Sequence, residues 1–154
     1  MAWLRLLIRK CLTFLKLPLT VKILLGQAFL LLPLVTLSLH FQGLKTTQQR
    51  LSALSLRDPS LPPQDSLSQI QITVKVVAIA SKYSKIWSNC LRKSLVLWFL
   101  LRRQGIASDI RIGVQFENKS FKAHAWVEAN GLILNDSQDV VFRYAPFQRP
   151  INMS

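Results

Sequence analysis

The chain has 154 residues, half of them apolar, with 20 Lys and Arg against 7 Asp and Glu and a formal charge of +13. One domain is the default at this length, and the apolar share excludes a disordered or collagen-like chain. Two cysteines exclude a disulfide scaffold and a four-cysteine zinc site.

The charge is unevenly placed. Residues 1–57 carry eight basic side chains and no acid, and the first carboxylate is Asp58. A basic, greasy segment of this kind favours an anionic surface: lipid headgroups, nucleic acid or an acidic peptide. Residues 23–41 hold no Lys, Arg, Asp or Glu, a length that can span a bilayer. Gln27, Pro33, Thr36, Ser38 and His40 interrupt the run, and Lys22 and Lys45 flank it on both sides. No small-residue cleavage site follows, so no cleaved signal is expected. The competing reading is a buried helical hairpin with Pro33 at its turn or kink. Cys11 has no acid or patterned histidine near it and reads as structural.

Three prolines between Arg57 and Ser66 mark a linker. This divides the chain into a basic apolar helical region (1–57), a linker (58–66) and a core (67–154). In 69–84, Ile72, Val76, Ile79 and Tyr83 fall at helical spacing, and 84–89 is a break. Residues 90–104 are apolar around most of the circumference, which predicts a central buried helix ended by Gly105. The period then changes to two. Asp109–Glu117 is a half-buried strand, and Glu117–Ser120 a turn. Phe121–Ala129 is a second strand with Lys122, His124, Trp126 and Glu128 on one face. Asn130-Gly131 marks a hairpin, Leu132–Asp136 a third strand and Val140–Tyr144 a short fourth one. Helices followed by an antiparallel sheet make an α+β layout.

Three residues carry chemistry in combination. Cys90 opens the buried helix, with Ser88 or Asn89 as N-cap; the positive end of the helix dipole and unpaired N–H groups favour a thiolate there. His124 lies on the second strand and Asp136 ends the third. Each alone has a bland reading: a buried thiol, a solvated imidazole, a turn carboxylate. Together they form a Cys-His-Asp nucleophilic layout, with the Cys90 N–H as one candidate oxyanion donor. Register decides the face of Asp136. A two-residue Asn130-Gly131 loop sets Asp136 opposite in face to His124. A three-residue loop, 129–131, pairs Glu128 with Leu132 and sets His124 directly across from Asp136; this loop is the expectation. His40 has no ligand-spaced companions, so no metal site is expected. Trp98 reads as core, and Trp87 and Trp126 as candidates to line the site.

The blocks CLRKSLVLWFLLRRQGI, RIGV and FKAHAWVEANGLILND resemble the leader-peptidase proteins of lasso-peptide biosynthesis, the microcin-processing type within the transglutaminase-like, papain-related superfamily. The resemblance runs from about Trp87 to Tyr144 and is looser over 14–57. It implies a transglutaminase-like core in which the Cys-bearing helix packs on a small antiparallel sheet, preceded by apolar helices that act as packing elements. It places the catalytic roles on Cys90, His124 and Asp136. The activity it implies is removal of the leader from a ribosomally made precursor, with no cofactor in this chain. A separate asparagine-synthetase-like cyclase, which uses ATP, would close the core peptide. Residues 1–57 show no strand-rich leader-gripping module, so a small separate recognition protein is a further implied partner. The proline expected near the tryptophan before the cysteine is missing around Trp87. A cytoplasmic location follows, with membrane contact through 1–57 as an added expectation. Two other functions compete: an acyltransferase using the same triad, and a non-catalytic basic protein binding membrane or nucleic acid. Against nucleic acid, the segment lacks aromatic-basic interleaving and any readable DNA motif.

Overall fold

The computed structural model describes residues 17–55, 63–117 and 120–147. Cys11, residues 58–62 of the linker and the tip of the first hairpin lie outside them. The elements run α1 (Leu19–Leu54), α2 (Pro63–Tyr83), a 3-10 turn (Lys85–Trp87), α3 (Cys90–Arg103), β1 (Asp109–Glu117), β2 (Ser120–Ala129), β3 (Leu132–Ile133), α4 (Val140–Arg143) and β4 (Ala145–Pro146). The sheet is antiparallel in the order β3-β2-β1-β4. This is the α+β layout that the change of period announced.

α3 is the centre of the molecule. Asn89 is its N-cap, and the Asn89 Oδ1 accepts the Arg92 N–H at 2.9 Å. At the other end Gly105 adopts φ +79°. Ile106 N–H then donates to Leu101 O and Gly105 N–H to Arg102 O, both at 3.0 Å. That pair of bonds closes the helix in a glycine-dependent motif. Every residue from Ser94 to Leu101 is buried.

α1 and α2 pack on α3, and Ala28, Leu32, Val35, Leu51, Ile70, Val76, Val77 and Ala80 join one apolar cluster with it. The turn within α1 falls at Gly43 (φ +74°) rather than at Pro33, which sits inside continuous helix. A proline removes one hydrogen bond, whereas reversing the chain here needs a positive φ, which glycine adopts without penalty. Across the break the Ser38 and Thr47 hydroxyls lie 2.8 Å apart, and Thr47 donates to Gly43 O at 2.8 Å.

The buried face of α2 also differs from the expected one. Ile72, Ile79 and Tyr83 are exposed, while Ile70, Thr73, Val77 and Ala80 point inward beside Val76. Thr73 belongs to the core because its hydroxyl donates to Gln69 O at 2.8 Å and accepts from Gln104 Nε2 at 3.0 Å. α2 begins at Pro63, so the last residues of the expected linker are helical; proline is well suited to a first helical turn.

The C-terminal elements are shorter than the alternation suggested. β3 ends at Ile133 instead of Asp136, and 140–143 form a single helical turn, with the fourth strand displaced to Ala145–Pro146.

Candidate active site

His124 stands on β2 opposite Gly113 of β1. Its Nε2 is hydrogen-bonded to Asp136 Oδ2. Against an ionised carboxylate the ring must donate from that nitrogen, which leaves Nδ1 as the basic position. Burial pushes the Asp136 carboxyl up. Hydrogen bonds from His124 and from the Ser137 N–H, with the attraction of His124, outweigh that and hold it below its ordinary 3.8. The second carboxylate oxygen accepts from Ser137 N–H at 2.7 Å and from Arg143 Nη2 at 3.0 Å. Arg143 also reaches Ser137 Oγ at 2.8 Å and pairs with Asp139 at 3.3 Å, so α4 closes over the acid.

The hairpin that brings these residues together has the register expected to keep them apart. Ala129 pairs with Leu132 and Glu128 with Ile133, a two-residue loop with Asn130 at φ 52° and Gly131 at φ 75°. The expected three-residue loop is therefore wrong. Asp136 still reaches His124, because the chain leaves the ladder after Leu134. Leu134 N–H donates to Val127 O at 2.9 Å, but Val127 N–H is taken by the side chain of Asn135, at 2.8 Å. An amide oxygen replaces the backbone carbonyl, the strand bends, and the next residue swings to the histidine's face.

Asn135 does a second job. Its Nδ2 donates to Ser94 Oγ at 2.9 Å, and Ser94 donates to Ala125 O at 3.0 Å. Ser94 is buried on α3, four residues after Cys90. Residues four apart share a helix face, so Cys90 lies on the same face of α3 as Ser94, which bonds the Ala125 carbonyl of β2. His124 lies on the alternate face of β2 from Val127 and Ala129, which join the core with α3. Cys90 itself is half-buried at the first position of α3. Among the described residues its thiol has no hydrogen-bond partner, His124 included. Its N–H is one of the first-turn donors that helix geometry leaves without an internal acceptor. The preceding turn is anchored on α1: Thr36 Oγ1 lies 2.8 Å from Leu32 O and 3.2 Å from Trp87 O.

Aromatic rings enclose the imidazole. Tyr144 lies 4.9 Å away between centroids and Trp126 6.3 Å away, stacked. Trp126 is buried, and its Nε1 donates to Glu128 Oε1 at 2.9 Å, while Glu128 Oε2 pairs with Arg111 Nε at 3.0 Å. Gly113 leaves room for this packing. A Cβ there would come within 2.8 Å of the Trp126 ring and 2.9 Å of Tyr144 Cβ. Trp98 is core, with Nε1 donating to Ser108 O at 3.0 Å, and Trp87, in the 3-10 turn before Cys90, is 40 % exposed.

Asn135, Arg143 and Gly113 escaped the sequence reading. Gly113 had a signal: a glycine inside a strand marks close approach of another group. Asn135 and Arg143 had none short of the tertiary fold. No group of metal-ligating side chains occurs among the described residues.

A cysteine opening the central helix, against a sheet carrying a bonded His–Asp pair, is the layout of a cysteine-protease-like α+β fold. Residues 31–149 match the family model of the transglutaminase-like superfamily, and the chain belongs to that superfamily. Its members are typically cysteine proteases or acyltransferases. No curated protein and no solved structure matches the chain.

Proposed function

We propose that this protein is a cysteine peptidase that removes the leader from a ribosomally synthesised lasso-peptide precursor, using Cys90, His124 and Asp136. The observation that carries the proposal is the His124–Asp136 hydrogen bond, formed on the sheet that packs against the helix opened by Cys90. The sequence blocks around these residues support the leader-processing substrate.

In the reaction, His124 Nδ1 takes the thiol proton as Cys90 Sγ attacks the scissile carbonyl carbon. The Cys90 N–H donates to the oxyanion of the tetrahedral adduct. The C–N bond breaks as His124 returns the proton to the leaving amine of the core peptide, and the leader remains as a thioester on Cys90. Water, deprotonated by His124, then attacks the thioester; the leader leaves with a free carboxylate and the thiol is restored. Asp136 keeps the ring in the Nε2–H tautomer and stabilises its cation. A small leader-binding protein presents the precursor, and a separate ATP-dependent cyclase consumes the freed core. The reaction takes place in the cytoplasm.

The test is incubation with precursor peptide and the leader-binding partner, followed by mass. Wild type is expected to release leader and core, and Cys90→Ala neither. Leader release by Cys90→Ala at the wild-type rate overturns the proposal. A product lighter by ammonia, with the leader still attached, assigns the thioester to an amine acceptor and makes the protein an acyltransferase instead.

A further inference from the structure

α1 has two apolar faces. One, with Ala28, Leu32 and Val35, is buried against the core. On the other side of the helix, Leu19, Ile23, Leu30, Leu34, Leu37 and Phe41 are exposed, with Leu30 at 68 %, Leu34 at 59 % and Phe41 at 76 %. Their spacings of four, seven, four, three and four place them in a single stripe. The stripe runs from Leu19 to Phe41, roughly 35 Å at the helical rise. No charged residue falls between Ile23 and Phe41. Lys22 stands at its start, and Arg5, Arg9, Lys10 and Lys16 precede it without one acid. The pairing of an uninterrupted apolar face with an all-basic flank fits one kind of surface: an interface with apolar depth and negative headgroups.

We infer that the Leu19–Phe41 face of α1 docks the protein in the plane of an anionic phospholipid bilayer, without crossing it. By length and composition α1 also qualifies as a membrane span. Spanning would pull Ala28, Leu32 and Val35 out of the core they share with α3, and would break the Thr36 contact that holds the turn before Cys90. Lying in the interface costs neither. Because the other side of the same helix holds that turn, docking leaves the turn before Cys90 on the side of α1 away from the lipid. This inference stands independently of the peptidase reading, since it uses neither His124 nor Asp136.

Flotation of the full-length protein on vesicles tests it. Phosphatidylcholine vesicles are compared with vesicles containing about 30 % phosphatidylglycerol, with and without about 1 M NaCl. Wild type is expected to float with the anionic vesicles alone and to be released by salt. Leu30→Glu with Leu34→Glu should lower partitioning roughly tenfold or more. Arg5→Glu with Arg9→Glu should do the same while leaving the stripe intact, which keeps the test valid if the first variant folds poorly. Thermal melting and circular dichroism of both variants are read alongside. Failure of wild type to float, or flotation of both variants at the wild-type level, overturns the inference. Salt-resistant flotation on neutral vesicles assigns α1 to a bilayer span, and a wild-type dimer made monomeric by Leu30→Glu with Leu34→Glu assigns the stripe to a second copy. Either result also overturns it.

Discussion

Replacing Asn135 by Ala removes the joint between the helix of Cys90 and the segment of Asp136. The Val127 N–H, buried in β2, loses its acceptor at 2.8 Å, and Ser94 Oγ loses its donor at 2.9 Å. An unsatisfied buried amide costs about 1–3 kcal/mol and a lost neutral hydrogen bond about 1 kcal/mol, so about 2–4 kcal/mol is expected. With a urea slope of about 2 kcal/mol/M this moves the unfolding midpoint down by about 1–2 M. Asn135→Asp separates the two bonds. It keeps an oxygen for Val127, but the single Ser94 proton cannot serve both the carboxylate and Ala125 O, so about half the loss should return. Leader release should slow in Asn135→Ala at urea-free equilibrium, because the bend that carries Asp136 to His124 is held by this amide. The assays are urea unfolding and mass-resolved cleavage. A midpoint within about 0.3 M of wild type, with unchanged cleavage, would refute the assignment.

Other expectations follow from the same geometry. Asp136→Asn should lower kcat about 10²-fold or more while KM changes little, since the acid touches the imidazole and not the peptide; equal losses in both would mark a structural acid. Gly113→Ala forces a methyl against Trp126 and Tyr144 and should destabilise by about 1–3 kcal/mol in urea unfolding. On pH, Asp136 is held below 3.8 when folded, so its contribution to stability is complete above that value and is lost as pH falls through the lower folded value. Asp136→Asn should therefore flatten acid unfolding below about pH 4, measured by circular dichroism; an unchanged acid limb would contradict the ion pair.

The sequence made the central helix and the strands legible because their signals are local. Asn89 caps α3 through its own side chain, Gly105 ends it through its own backbone, and alternation from Asp109 onward reports which face each side chain takes. What stayed hidden depends on partners distant in the chain. Thr73 counted as polar in the helical pattern, yet it is a core residue because Gln104 meets its hydroxyl. The bond between Asp136 and His124 does not come from the expected loop: the ladder keeps the tight Asn130-Gly131 turn, and the change of face comes from an amide standing in for a carbonyl. No hydrophobic period encodes that substitution. The reversal at Gly43 rather than Pro33 has the same character, since both residues interrupt helices and only the required φ separates them.

The most direct test of the account is the alkylation rate of Cys90. Limiting iodoacetamide near neutral pH, with peptide mass mapping, reads Cys90 and Cys11 in the same sample. If His124 takes the thiol proton, Cys90 reacts faster than Cys11 in wild type, and His124→Ala slows Cys90 by roughly tenfold or more without changing Cys11. A Cys90 rate unaffected by loss of the imidazole would contradict a working Cys-His pair.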